Sequence, residues 1–448
     1  MTKFLDAFQV DQAISAIYRF QKSRTLWLQD IHGHDFEQEK IPVGPDKVPF
    51  SKIVESRESQ HAITTAISSE VLGLRYRFSP FAEQKIPKNP EKEEFRTISV
   101  CTVKDALTQF IALEVLNQTH DKKFSPCSYA YRPGHTVKQL TRDICSLLMD
   151  GWTWVVEADI RAFFDSLDHG VMETIIDRDL EDQPEACRAL LKSFLTAPRL
   201  KARRVQNLSK GKGVQGLPPG LDLDKLGASR KRGVPQGGAL SGFLANLYLD
   251  GLDKVFEKHA QYRLLRYADD FLILTRDRET AERAMSLAIS VLAELKLEHH
   301  PKKTKIVEVN GGFDFVGHHF RHRLDRAPLV RIRNTTMRKR YQTIDDVFEK
   351  AEARDWCPCQ LVDALNQKAI GIFLKGDDGE LEALRSWLEF FSAINDLSQL
   401  RLLDRRVYSD FRHYRKEFRP APGSCCDGCT IPSPERYVDI LRRLRRGP

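Results

Sequence analysis

Two adjacent carboxylates, Asp269 and Asp270, separate a polar approach from four apolar, strand-forming residues at 271–274. This arrangement predicts a strand, a tight turn and a second strand. Neighbouring side chains on a straight strand point to opposite faces of its sheet, so both acids can reach one ligand only where the chain turns. Two acids at a hairpin tip need a cation, whereas an isolated Asp-Asp pair is more often a solvated turn. The choice between the two depends on the motifs that accompany the pair.

Four further motifs accompany the acid pair in a fixed order. The five segments are residues 154–165, 232–241, 266–274, 301–305 and 313–317. This ordered set resembles the palm of reverse transcriptases, most closely the bacterial group II intron-like kind. The metal-binding hairpin of that family has the sequence Tyr-Ala-Asp-Asp, which residues 267–270 match unaltered. The resemblance covers about residues 75–325, and five motifs in the right order make it specific.

The resemblance implies an α+β fold of the right-hand polymerase type. Such a fold has fingers and a palm, with an antiparallel palm sheet flanked by helices, and a helical thumb. The length of 448 residues is enough for two or three domains. We expect an N-terminal helical extension at 1–74, fingers and palm at 75–325, a helical thumb-like domain at 326–420 and a basic, cysteine-containing tail at 421–448.

The reaction that the resemblance implies joins a deoxynucleotide to the 3′-hydroxyl of a primer. Two Mg²⁺ ions, for which Mn²⁺ can substitute, lower the pKa of the hydroxyl and stabilise the leaving pyrophosphate. Because Mg²⁺ prefers carboxylate oxygens, we expect Asp159, Asp269 and Asp270 to bind it, with the backbone carbonyl of Ile160 as a further ligand. Lys303 is expected to be the general acid, although a solvated lysine is about equally common in such a place.

A charged turn between two short apolar runs in residues 86–100 predicts a hairpin. It resembles the fingers motif whose basic residues hold the incoming triphosphate. Lys88 and Arg96 are the candidates by position. A cation there would neutralise the phosphates, and a planar guanidinium can bind two oxygens at once.

Three more residues are expected to contact the nucleotide. In the family, the position of Phe164 lies beneath the incoming sugar, where a bulky ring would clash with a 2′-hydroxyl. Gln236 and Gly237 precede a predicted helix, whose glycine-rich start lets the backbone approach a template base or a sugar. The family usually continues Ser-Pro after this motif, whereas here Ser241 precedes Gly242.

Residues 128–134, Ser-Tyr-Ala-Tyr-Arg-Pro-Gly, resemble the segment Ser-Tyr-Gly-Phe-Arg-Pro-Gly, which lies along the template in the family. Ala130 replaces the usual Gly and Tyr131 the usual Phe. Arg132 is a candidate to hold a phosphate, while Tyr129 fits equally well as a core residue with a bonded hydroxyl.

The charge distribution also points to a polyanion. The chain carries 70 Lys and Arg against 62 Asp and Glu, a net charge of +8, and ten of the basic residues lie in 199–232 against two Asp. A local excess of this kind indicates a nucleic acid partner, whereas an even spread indicates only solubility. The candidates for nucleic acid contacts are Arg132, Arg203, Arg204, Lys231, Arg232 and Tyr267.

No run of 18 or more apolar residues is present, so we expect no membrane contact and a cytoplasmic protein. Nine cysteines, an odd number, favour free thiols over a disulfide framework. Only Cys426 and Cys429 have the CxxC spacing of zinc ligands, and whether they bind zinc stays open.

Three interpretations of function follow. The first is an RNA-directed DNA polymerase that copies a cognate noncoding RNA into DNA from deoxynucleotides, in an antiviral defence setting. The second is untemplated or protein-primed DNA synthesis by the same palm. The third is an RNA-binding, maturase-like splicing cofactor with an incidental polymerase site, against which the intact acid triad and Phe164 argue. The sequence leaves the oligomeric state undetermined.

Overall fold

The computed structural model describes most of the chain. Arg203, Arg204, Cys426 and Cys429 lie outside the described residues, as does the side chain of Lys88. The described residues are 2–20, 48, 50–89, 94–201, 230–323, 326–370, 372–375, 381–384, 387–418 and 433–446.

The described N-terminal residues are largely helical and pack against a long helix of the fingers. Phe4, Phe8, Ile17 and Phe20 are buried there, and the ring of Phe20 contacts Phe110 at 5.5 Å between centroids. The elements are α1 (Thr2–Ala7), a helical segment at residues 10–20, α2 (Phe50–Val54), α3 (Arg57–Leu72) and the long helix α4 (Val103–His120).

The fingers sheet contains the predicted hairpin. Strands β1 (Phe81–Asn89) and β2 (Glu94–Val100) pair antiparallel, with Ile86 opposite Arg96. A short strand that the sequence did not predict, β4 (Arg199–Lys201), joins β1 in parallel.

The palm is a four-stranded antiparallel sheet in the order β5-β6-β3-β7. Its strands are β3 (Trp154–Ala158), β5 (Arg263–Tyr267), β6 (Asp270–Thr275) and β7 (Lys305–Glu308). The α-helices described in this part of the chain are α5 (Val137–Met149), α6 (Phe163–Ser166), α7 (His169–Asp179), α8 (Glu185–Leu195), α9 (Ala239–Glu257) and α10 (Arg278–Glu294).

Both faces of the palm sheet are buried, and this explains the unbroken apolar run after the acid pair. Phe271 and Ile273 belong to a first core that the fingers and helices α9 and α10 share. Leu272 and Leu274 point the other way, into a second core. Since side chains alternate along a strand, a strand between two cores needs apolar residues at every position.

The second core joins the palm to the C-terminal region. There β8 (Phe313–Phe315), β9 (His318–Arg323) and β10 (Arg326–Ile332) form one antiparallel sheet, which crosses the predicted boundary at residue 325. Most of the elements that follow are helices, in the region expected to be the thumb. They are α11 (Asn334–Ala353), α12 (Pro358–Ile370), α13 (Trp387–Phe390), α14 (Ser398–Glu417) and α15 (Tyr437–Arg446), and β11 (Ile372–Lys375) pairs with β12 (Leu381–Leu384).

The last helix is part of the second core and not a separate tail. Tyr437, Ile440 and Leu441 are buried in it, and the Asp404 carboxylate accepts the backbone N–H of Tyr437 at 2.6 Å. The predicted division at residue 420 therefore does not separate α15 from the thumb. None of the helices in the described ranges combines the length and apolar character that crossing a membrane requires.

Candidate active site

A cavity of about 1630 Å³ lies between the fingers hairpin and the palm sheet. It brings together side chains from motifs that are more than 200 residues apart in sequence. Of the residues predicted from sequence, those that line it are Arg96, Asp159, Ile160, Phe164, Gln236, Gly237, Asp269, Asp270 and Lys303.

The acid pair lies at the predicted hairpin turn. Tyr267 ends β5 and pairs with Asp270 at the start of β6, so Ala268 and Asp269 form the turn. The backbone of Ala268 has φ +60°, in the left-handed region. This conformation costs a residue with a Cβ about 1–2 kcal/mol and persists only where the surrounding structure enforces it.

The enforcing group is Arg266, which is fully buried beneath the turn. Its Nη1 donates to the Ala268 carbonyl at 3.0 Å. Its Nε and Nη2 donate to the two carboxylate oxygens of Asp253 at 2.8 and 2.5 Å. The remaining two N–H groups donate to Asn246 Oδ1 and Ser128 Oγ at 3.0 and 2.8 Å. All five guanidinium donors are thus used, and they fix the turn that carries Asp269.

The same network fixes a second strained residue. Asn246 Nδ2 donates to the Ala130 carbonyl at 2.8 Å, one residue before Tyr131, whose φ is +61°. On the other side, Arg132 donates all five of its N–H groups to Asp121 and to the carbonyls of Ser125 and Ser128. With its side chain 5% exposed, Arg132 is a structural residue, and this corrects the predicted phosphate contact.

Negative charge is concentrated at the tip of the palm. Burial, followed by the charges of Asp269 and Asp159, raises the pKa of Asp270 to about 6. Lys303 Nζ donates to Asp159 Oδ2 at 2.5 Å. Burial alone would lower the pKa of the Lys303 ammonium, but Asp159, Asp270 and Asp269 together raise it. The lysine therefore keeps its proton at neutral pH.

The donor set fits a hard divalent cation. Carboxylate oxygens are the ligands that Mg²⁺ prefers, and a cation among them would relieve the repulsion that raises the pKa of Asp270. The Ile160 carbonyl remains a candidate because the bridge between Ile160 and His299 uses the carbonyl of Asp159 and the amide of Arg161. Within the described ranges, no three His, Cys, Asp or Glu side chains already stand at ligand spacing, so this ligand set stays a prediction.

The nucleotide motifs meet on the opposite wall of the cavity. The backbone N–H of Ser99 in β2 donates to the Gln236 carbonyl at 2.6 Å, and that of Val234 to the Phe164 carbonyl at 2.7 Å. Gly233, at φ +82°, leaves no room for a side chain, because a Cβ there would lie 3.0 Å from the Phe164 carbonyl oxygen. The loop before α9 thus ties the Phe164 turn to the strand that carries the exposed Arg96.

Besides Arg132, three described candidates for nucleic acid contacts lie outside the cavity lining. Lys231 and Arg232 are exposed, and Arg232 lies 3.9 Å from the Asp168 carboxylate. Tyr267 is half-buried and packs against the second core. Their roles stay predictions.

Sequence reasoning missed the Arg266 network and several cations of the cavity. The one sequence signal for Arg266 is that it directly follows two apolar strand residues. At such a position an exposed charge is the ordinary expectation, so the signal is weak. The additional basic residues that line the cavity are Arg161, His300, Lys302, Lys305, Arg333 and Lys339.

Residues 86–320 match the family model described as "Reverse transcriptase (RNA-dependent DNA polymerase)". The chain belongs to the reverse transcriptase family. The matched range contains all five motifs and the whole palm sheet, so the α+β right-hand fold and the polymerase class expected from sequence are confirmed.

Relatives of this reverse transcriptase agree with a group II intron-like type. It is 24% identical to Protein YkfC of Escherichia coli K12 over 309 residues, 60% of this chain and 74% of YkfC. It is 29% identical to the group II intron-encoded protein LtrA of Lactococcus lactis over 200 residues, 44% of this chain but 28% of LtrA. The solved structure of apo telomerase from Candida tropicalis is similar with a TM-score of 0.42 at 14% identity, covering 76% of this chain and 58% of the telomerase chain.

Proposed function

We propose that this reverse transcriptase extends a primer with deoxynucleotides on an RNA template, with Asp159, Asp269 and Asp270 holding two Mg²⁺ ions. The observation that carries the proposal is that the three acids share one cavity with Lys303, Arg96 and Phe164. When bound, the ions would lower the pKa of the primer hydroxyl and neutralise the triphosphate.

The protein's own residues supply the remaining functions. Lys303 carries a proton beside Asp159 and donates it to the leaving pyrophosphate. Arg96 projects from β2 into the cavity, where its guanidinium orients the triphosphate. Phe164 lines the same cavity and excludes a 2′-hydroxyl by its bulk.

A second, basic cavity supports nucleic acid binding beside this site. It measures about 770 Å³ and is lined by Arg321, Arg323, Arg331 and Arg401. Asp396 compensates Arg331 at 2.5 Å, which leaves the cavity with an excess of positive charge. Arg331 is two residues before Arg333 of the active-site cavity, a distance of roughly 7 Å along a strand. We assign this basic cavity to phosphates of the template–primer duplex.

The biological setting is part of the proposal. We propose a cytoplasmic enzyme whose template is a dedicated noncoding RNA and whose DNA product serves antiviral defence. The similarity to LtrA, an intron-encoded protein, favours a structured RNA as the partner.

The experiment is to purify the protein from its native host and to sequence the nucleic acid that accompanies it, for wild type and Asp269→Ala. One discrete RNA with both proteins, and complementary DNA with wild type only, is the expected result. RNA without DNA in either sample, even after addition of deoxynucleotides and Mg²⁺, would favour a splicing cofactor. DNA unrelated to the RNA would favour untemplated or protein-primed synthesis.

A further inference from the structure

Tyr131 is an aromatic residue of the active-site cavity that the proposed mechanism does not use. Its side chain is 54% exposed, and it lines the cavity together with Phe164 and Gly242. An aromatic ring that served only core packing would be buried. Its φ of +61° is a costly conformation for a bulky residue, and such strain concentrates at functional sites.

The position of the ring depends on Gly242. A Cβ added at Gly242 would lie 2.5 Å from Tyr131 Cγ and 2.8 Å from its Cβ. These are the root atoms of the side chain, so the ring cannot avoid a larger residue by bending at its tip. Both positions differ from the family motif in a matched way, because Tyr131 is larger than the usual Phe and Gly242 is smaller than the usual Pro.

The ring of Tyr131 faces Phe164, the residue that we propose excludes a 2′-hydroxyl. The ring centroids of Tyr131 and Phe164 are 6.5 Å apart with an interplanar angle of 83°, an edge-to-face arrangement. Phe163 contacts Phe164 in the same manner at 5.3 Å. Phe163 is buried, whereas Tyr131 contacts Phe164 from the cavity side.

We propose that Tyr131 is a specificity-determining residue for the incoming nucleotide: its ring, seated on Gly242, holds the ring of Phe164 where that ring excludes a 2′-hydroxyl. The inference rests on the proposed function, because sugar selection has meaning only in a nucleotide polymerase. The buried network that fixes Ala130, and the bonds of Arg132, hold the strained backbone that presents the ring.

The test compares incorporation of CTP and dCTP by the full-length protein on a primed RNA template. Gly242→Ala should push the ring aside and raise the ratio of kcat/KM for CTP to that for dCTP by about tenfold, the scale of one lost pocket contact. Tyr131→Ala should do the same. Tyr131→Phe keeps the ring and should keep the wild-type ratio.

Two further variants make the test specific. Gly251→Ala is the matched control, because it changes a glycine of the same helix with open space around it, and it should leave the ratio unchanged. The double variant Tyr131→Gly/Gly242→Ala should not exceed Tyr131→Gly alone, since glycine at 131 removes both the ring and the Cβ that the alanine at 242 would meet.

The proposal is overturned if Gly242→Ala folds, extends primers and keeps the wild-type ratio, or if the two single effects add in the double variant. If Gly242→Ala does not fold, Tyr131→Ala decides alone, and an unchanged ratio overturns the proposal. Measurements on wild type and on Phe164→Val distinguish a failure of the Tyr131 proposal from a failure of the proposed function. If wild type shows no templated synthesis, the proposed function is refuted. If wild type selects deoxynucleotides, and only Phe164→Val changes this selection, then only the role of Tyr131 is refuted.

Discussion

Two buried arginines, one in the palm and one in the thumb, are stabilised by different kinds of interaction. In the palm, Arg266 is fully buried and bonds five oxygen acceptors through all of its N–H groups. In the thumb, Arg340 is 6% exposed and lies over the rings of Trp387 and Tyr437, at 4.7 and 5.2 Å from their centroids. Its Nε has no hydrogen-bond partner among the described groups.

The difference fits the function that we propose for each region. Directional bonds to the Ala268 carbonyl fix a backbone turn to a fraction of an ångström, which catalytic geometry requires. Contacts with ring faces vary weakly with small displacements, and such contacts suit a helical unit that adjusts to a duplex. We therefore expect palm substitutions to affect chemistry and thumb substitutions to affect stability or binding.

The largest effect is expected for Arg266→Met. It leaves the Asp253 carboxylate buried without its partner, and breaking a buried pair in this way costs about 3–5 kcal/mol of unfolding free energy. Denaturant unfolding measures it. Arg266→Lys should recover part of the stability but lower kcat with little change in KM, since an ammonium has three donors for the same acceptors. Wild-type kcat in the lysine variant would contradict the positioning role.

A pH effect of up to about 3 kcal/mol is expected from His318, which packs on Phe391 at 4.8 Å. Burial lowers its pKa to about 4, against about 6.5 in an unfolded chain. The unfolded state therefore binds more protons between these values, and the unfolding free energy falls as pH drops from 6.5 to 4.

His318→Gln should remove this part of the pH slope. His120, whose pKa burial also lowers to about 4, adds a slope of the same sign in both proteins, so the difference between them isolates His318. Equal slopes in wild type and His318→Gln would show that His318 does not contribute.

A smaller loss, about 1–2 kcal/mol, is expected for Arg340→Met. It keeps the aliphatic stem against the rings but loses the charge and the bonds to the Lys368 carbonyl and, at 2.8 Å, to the Tyr437 hydroxyl. The comparison between the two arginines requires this loss to be below that of Arg266→Met, under the same denaturant protocol. A loss of unfolding free energy as large as that of Arg266→Met would mean that the two arginines stabilise their regions equally.

The smallest effect is expected for Arg401→Gln in the basic cavity, with no change in kcat. If Arg401 contacts one phosphate, the plot of log association constant for the duplex against log salt concentration should become less steep by about one unit. The control is Arg412→Gln, an exposed position of the same helix that does not line the cavity. An unchanged slope for Arg401→Gln would remove it from the interface.

The palm was predictable from sequence because its signals are local. The order of the motifs placed Asp159, Asp269 and Phe164 in one site, and the alternation rule correctly required a turn at the acid pair. Arg132 and Arg266 show where such reasoning ends. An arginine in a functional motif suggests a ligand contact, and only the three-dimensional structure shows that Asp121 or Asp253 takes up its donors.

The thumb was predictable only as a helical region. The burial of α15 depends on contacts distant in sequence, such as the bond from the Tyr437 N–H to the Asp404 carboxylate, which periodicity does not specify. The basic residues of α15 favoured a solvated tail, but four apolar residues on one face of that helix determine its place in the core.

Glu83 of β1 meets both ends of the segment 202–229. Lys201, just before it, is the β-sheet partner of Glu83, and Arg230, just after it, forms an ion pair with the Glu83 carboxylate at 3.0 Å. Because the two ends are held at one point, doubling the length between them would cost only about 0.6 kcal/mol of closure entropy. The fingers sheet therefore constrains the length of this segment only weakly, and the candidate nucleic acid contacts Arg203 and Arg204 constrain its sequence instead.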